Sequence, residues 1–197
     1  NKVDSELGGF FDDMISNKLL DLDSRKGKAP GGYCAQFPED RVPFIFMNAA
    51  GTKRDVDTLL HEGGHSFHYY LSRNIELTSY HHTGLEFAEV ASMAMELLSR
   101  PYFGEFYKDD ELKRVLRDQL QKILEFFPFM AMIDAFQHWV YTTKTDDPAA
   151  WSAKWVELDR RYQPELDWSG VESIQKLGWQ YPHIFSVPFY YVEYGIA

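Results

Sequence analysis

Residues 61 to 65 read His-Glu-Gly-Gly-His. On a helix, positions four apart lie on one face a turn above each other, so His61 and His65 can offer both imidazoles to one cation. Glu62 follows the first of them directly. It is close enough to take a proton from water beside that cation without being a ligand itself. Zinc lowers the pKa of a bound water to about 7, and a carboxylate can then accept its proton as the oxygen attacks a carbonyl. The spacing therefore points to metal-assisted hydrolysis, of a peptide bond above all.

Chance alone would place this pattern in roughly two of every hundred chains of this composition, so context must separate it from an ordinary helix with satisfied histidines. The pair Gly63-Gly64 supplies some. Each glycine inside a helix costs about 1 kcal/mol relative to alanine. A sequence kept only for stability would not favour the pair, and close approach of a strand or a substrate explains it better.

A catalytic zinc needs a third protein ligand and an open fourth position. One known arrangement has glycine at position 68 and histidine at 71, but the chain has His68 and Leu71 there. The other source is a carboxylate from a following helix. Glu89 lies in the stretch GLEFAEVAS among Phe87, Ala88, Val90 and Ala91, which places it in a packed region. A buried, unpaired carboxylate is costly, and coordination removes that cost. Glu86, one turn earlier, suits a solvated helix start, so Glu89 is the preferred ligand. Glu96, two turns beyond it, is a candidate acceptor for the second ring N–H of a ligating histidine; an exposed helix charge is the plain alternative. His68 shares the stripe of His61 and His65 and reads as a hydrogen-bonded neighbour or core histidine.

The elements that must carry these residues can be read from periodicity and punctuation. Apolar positions predict helices over Val3–Leu20, Asp55–Leu71 with Asp55 at its cap, Leu85–Leu98, and Asp110–Phe127. Pro128 should break or kink the last of these before Met130–Tyr141 continues. Asp146-Asp147-Pro148 starts another helix, to Tyr162, since proline suits the first turn and the acids suit the dipole. Tyr33–Phe37 and Val42–Met47 predict a hairpin across Pro38–Arg41. The tail from Ser169 holds one short helix and an aromatic run. No repeat or linker-like stretch appears, so the expectation is one mainly helical unit, mainly α with a small antiparallel β-sheet.

Composition bounds the rest. The 197 residues are 45% hydrophobic and carry a formal charge of −10, which argues against nucleic acid or an anionic membrane as partner. No apolar run approaches the ~20 residues of a membrane span. The single cysteine, Cys34, allows no intrachain disulfide and suits a reducing, cytoplasmic setting. The chain opens at Asn1 without methionine and stops at Gly195-Ile196-Ala197, so an excerpt of a longer chain is expected.

HEGGHSFH followed by GLEFAEVAS resembles the oligoendopeptidase F and thimet oligopeptidase family of zinc peptidases. The approach GGYCAQFPEDRVPFIFMNAAGTKRDVDTLLHE and the late segment His183–Tyr194 are similar to the same family, so the likeness runs from Gly27 to the end. It implies a zincin-like helical catalytic region over residues 1–197 and one Zn2+ held by His61, His65 and Glu89. It implies Glu62 as general base, then acid, and His183, Tyr190 and Tyr194 as groups that bind substrate and stabilise the transition state. Preorganised phenol or imidazole donors suit a developing oxyanion. Tyr191 followed by Val192 departs from the family's arrangement, and leaves open which phenol faces the oxyanion; core packing is the alternative for Tyr191. Short unstructured peptides are the implied substrates, because the family's further helical walls exclude folded proteins.

Three alternatives rank lower. A related HExxH carboxypeptidase or aminopeptidase would share the site, but no residue supplies a clear clamp for a substrate terminus. A di-iron bundle would need a second Glu-x-x-His, which is missing. A metal-binding scaffold without catalysis would have no need of Glu62.

Overall fold

The structure, a computed structural model, describes residues 1–197. It divides into two compact units, one formed by Asn1–Leu116 with Ala197 and the other by Arg117–Ile196. The sequence gives no sign of this division because it falls inside a helix, not in a linker.

In the first unit, α1 (Ser5–Ser16) starts at Asp4, whose side chain accepts from the backbone N–H groups of Glu6 and Leu7. The helix stops earlier than its apolar spacing suggests. Lys18 takes a left-handed φ of 57°, and the chain then enters a short strand, β1 (Leu20–Asp23). A hairpin follows, β2 (Tyr33–Phe37) and β3 (Val42–Ala49), paired antiparallel from Tyr33 opposite Phe46 to Phe37 opposite Val42. β1 adds to the other side of β3 in parallel, Leu20 beside Ile45, giving the order β1-β3-β2. The expected hairpin is thus two-thirds of a mixed three-stranded sheet. Four residues containing Leu20 and Leu22 fit either periodicity, which is why β1 is hidden in the sequence.

Pro43, Ile45 and Met47 of β3 point to one face, where Ile45 and Met47 pack with Met14 of α1 and Tyr70 of α2 (Lys53–Ser72). α2 begins at Thr52, and Asp55 reaches back from its third position to accept the backbone N–H groups of Thr52 and Ala50. α3 (Leu85–Leu98) packs along α2, and Phe103, Tyr107 and Val115 close a further small core.

α4 runs from Asp109 to Thr143 and passes through Pro128 as one helix of 35 residues. Proline there forfeits a backbone bond. Beyond it, Met132, Ile133, Phe136 and Val140 are buried in the second unit's core, and that burial outweighs the loss. The core also takes Trp155 and Leu158 of α5 (Pro148–Tyr162), which is capped by Asp147 as the Asp-Pro start predicts. Three short helices complete the unit: α6 (Glu172–Gln175), α7 (Pro182–Phe185) and α8 (Tyr191–Ile196).

Candidate metal centre

The two histidines of α2 stand on one face, their ring centroids 5.0 Å apart and nearly perpendicular. Glu89 reaches them from α3. Its Oε2 lies 3.3 Å from His61 Nε2 and 3.8 Å from His65 Nε2. One ligand atom from each of the three residues falls within 4.8 Å of the others. Two imidazole nitrogens and a carboxylate oxygen are the donor types that suit a zinc-like divalent cation, so the residues present fit such an ion.

Each donor has a further contact. His61 Nδ1 meets Glu96 Oε1 at 2.8 Å, which turns the other ring nitrogen toward Glu89. The His65 ring lies beside the Ala88 backbone, which favours its protonated form. Glu89 is 1% exposed and accepts from the hydroxyl of Ser92 at 2.9 Å. Sequence reasoning named Glu96 but missed Ser92. The available signal was a small polar residue three positions after the ligand on a buried helical face.

Gly64 explains how α3 comes so near. A Cβ there would sit 2.5 Å from the Ala91 carbonyl oxygen and 2.6 Å from Ser92 Cα. The neighbour that excludes a side chain is a helix, where a strand or substrate was expected. At Gly63 a Cβ would meet only the Phe67 ring, at an ordinary 3.7 Å.

Burial and charge act in opposite directions on the two imidazoles. Burial lowers the pKa of His61, but the carboxylates of Glu89 and Glu96 outweigh it and hold the ring up to about 10. Burial dominates at His65 and brings it to about 4, against the pull of Glu89. The two ring nitrogens of His61 face different acids, Nδ1 toward Glu96 and Nε2 toward Glu89. Glu62, 7% exposed, is pushed up to about 7, chiefly by burial, while the backbone N–H of Cys34 on β2 bonds its carboxylate. The Cys34 thiol lies 3.3 Å from the Ser66 hydroxyl, and burial pushes it up to about 11, so it stays protonated. His68 is half-buried and joins neither group.

In the second unit, His183, Tyr190 and Tyr194 form a separate aromatic group. The His183 ring stacks on Tyr181 and meets Tyr194 edgewise at 6.2 Å, and Tyr190 meets Tyr194 at 5.3 Å. Tyr191 is buried among Phe126, Phe129, Tyr181 and His183, and burial raises its phenol pKa strongly. Core packing is its place, which leaves Tyr190 and Tyr194 as the half-buried phenols.

A small sheet beside an HExxH helix, whose histidines meet a carboxylate from the following helix, defines the zincin-like class. Within that class the chain belongs to peptidase family M3, whose model matches residues 7–197. It is similar to oligopeptidase PepF of Bacillus subtilis, at 24% identity over 97% of this chain and 28% of that protein. It is similar to an oligoendopeptidase F homolog of Borreliella burgdorferi, at 27% identity over 97% of this chain and 34% of that protein. Among solved structures it matches PZ peptidase A with an inhibitor, at a TM-score of 0.92 and 36% identity, over 98% of this chain and 35% of the other. The chain thus spans about a third of the length of the proteins it matches.

Proposed function

We propose that this chain carries the catalytic region of a zinc-dependent endopeptidase acting on short unstructured peptides. The convergence of His61, His65 and Glu89 donor atoms within 4.8 Å carries the reading. Those three residues would hold the ion, which when bound supplies Lewis acidity to water and to the scissile carbonyl.

The remaining steps fall to the chain's own groups. Glu62 takes a proton from the attacking water and then delivers it to the leaving amine. Its burial keeps the carboxylate basic near neutral pH, where proton transfer is most effective. Glu96 keeps the His61 imidazole turned toward the cation. Tyr190, Tyr194 and His183, half-buried side chains that carry donors, would serve the oxyanion and substrate. The lone Cys34 thiol fits a reducing, cytoplasmic setting, and no helix is long and apolar enough to cross a membrane.

The decisive test is Glu62→Gln in the intact-length protein, followed by zinc content and hydrolysis of an internally quenched peptide. Zinc should stay and turnover should fall by several orders of magnitude, because the proton acceptor is gone. Loss of the metal instead would make Glu62 a ligand. Product masses showing only terminal cleavage would turn the assignment to an exopeptidase.

A further inference from the structure

Ser92 has no part in the chemistry just described, yet it is fully buried beside the ion's third ligand. We propose that Ser92 is the positioning residue of the metal centre: its hydroxyl holds the Glu89 carboxylate in the orientation that meets both imidazoles. The inference rests on the reading of His61, His65 and Glu89 as the ligands.

The Ser92 Oγ lies 2.9 Å from two acceptors, the Glu89 backbone oxygen and Glu89 Oε2. Serine in a helix often bonds the carbonyl one turn back, and that alone would be a local habit. A hydroxyl has a single proton to give, however, and an ionised carboxylate draws it more strongly than a neutral carbonyl does. Oε2 is also the same oxygen that approaches both histidines, at 3.3 and 3.8 Å. A carboxylate oxygen has two lone pairs, so Oε2 can accept from Ser92 on one and offer the other to a cation.

Ser92 is itself fixed. Its Cα sits at the closest crossing of α2 and α3, against the bare face of Gly64. Glutamate has three rotatable side-chain bonds, and a fixed donor narrows the orientations its carboxylate takes before it meets the ion. The hydroxyl makes the selection beforehand, from a point set by backbone packing.

The test is zinc affinity of the full chain, measured by competition with a chelating indicator, for the parent and for Ser92→Ala. Binding should weaken about 10–100-fold, the usual cost of losing a group that orients a ligand. The absorption bands of the cobalt-substituted protein should shift. Alanine fills nearly the same volume, so the metal-free variant should keep the parent's helix content and melting midpoint. In a Glu89→Ala background, Ser92→Ala should change zinc affinity no further, because the group it acts through is absent. Parent-like affinity in Ser92→Ala would overturn the proposal. So would an additive loss in the Glu89→Ala background, or a metal-free variant that melts early, since either makes Ser92 a packing residue. A parent that takes up no zinc would remove the ligand reading and this inference together, whereas a binding parent with an unaffected variant removes this inference alone.

Discussion

In the first unit, two of the three donors, on two long helices, are aimed by hydrogen bonds: Glu96 on His61 and Ser92 on Glu89. In the second, the His183 and Tyr190 rings each meet the Tyr194 ring, at 6.2 and 5.3 Å. The chain enters that group from Phe189, whose φ of 63° is rare for a bulky residue. The Phe189 backbone N–H donates to the buried Gln137 Oε1 at 2.6 Å, and its ring packs on His138 and Tyr141. Hydrogen bonds fail over a few tenths of an ångström, whereas aromatic pairs hold over centroid separations of about 4.5–7 Å. A cation needs the first kind of precision. If the second group meets substrate, as proposed above, ring contacts of this kind would tolerate varied sequences.

The largest contrast lies among the acids of α3. Glu89→Ala should lower zinc retention beyond the 10–100-fold that orienting partners cost, while Glu86→Ala should leave it near the parent's. Metal content after dialysis against a weak chelator decides it, and the reverse ranking would displace Glu89 from the centre. Next comes the helix crossing. Gly64→Ala would drive a methyl into the Ala91 carbonyl and Ser92 Cα, both backbone, so the helices must separate. Overpacking of that kind costs about 1–3 kcal/mol or more. Gly63→Ala meets only an ordinary ring contact and should gain up to about 1 kcal/mol from helix propensity. Paired melting curves would show it; equal effects at both sites would mean that the crossing is not what excludes a side chain.

Much of this was legible in the sequence, for identifiable reasons. HExxH encodes its own geometry, because one helical turn brings His61 and His65 together whatever surrounds them. Glu89 could be read because a carboxylate amid Phe87, Ala88, Val90 and Ala91 demands a partner. Leu85–Leu98 was read to its ends, since Gly84 and the change of periodicity mark them. The third strand was not legible: a four-residue edge strand is defined by its neighbour, and β3 lies more than twenty positions away. Nor was the reason for Gly64, which depends on where α3 crosses. The αL turn at Phe189 carries no glycine or asparagine to announce it and is imposed by Gln137, 52 positions earlier.

That turn yields the sharpest way to separate the two regions. Gln137→Leu keeps the volume and deletes the acceptor, so Phe189 should relax toward ordinary φ and carry Tyr190 with it. Losing the bond costs roughly 1 kcal/mol of stability. Turnover should fall severalfold with zinc affinity unchanged. Phe189→Gly should restore part of the loss, because glycine holds the left-handed conformation without the bond. A parallel fall in zinc affinity would show that the metal centre depends on this segment after all.

The smallest effect concerns how each unit answers acid. In the first, the Lys28 ammonium is buried against the backbone oxygens of Asp21, Asp23 and Met47, and with Arg25 it grips the Asp21 carboxylate. The bonds from Arg25 and Lys28 hold the Asp21 pKa well below the usual carboxylate range. A depressed folded pKa means that the folded state binds fewer protons than the unfolded one. The stability it contributes is therefore complete above the unfolded value of about 4 and is lost as pH falls further, through the folded value. The second unit's core cluster, from Phe136 and Trp155 to Tyr191, is apolar, and the buried carboxylate on α5, Asp159, accepts from the side-chain amides of Gln175 and Gln163. Acidification below about pH 4 should thus speed amide exchange in β1, once the intrinsic rate is divided out. Asp21→Asn should already show the faster β1 exchange at neutral pH and lose its acid dependence. Should β1 exchange instead keep its neutral-pH rate in acid, and Asp21→Asn track the parent, the clamp at Asp21 contributes nothing to how the first unit is fastened.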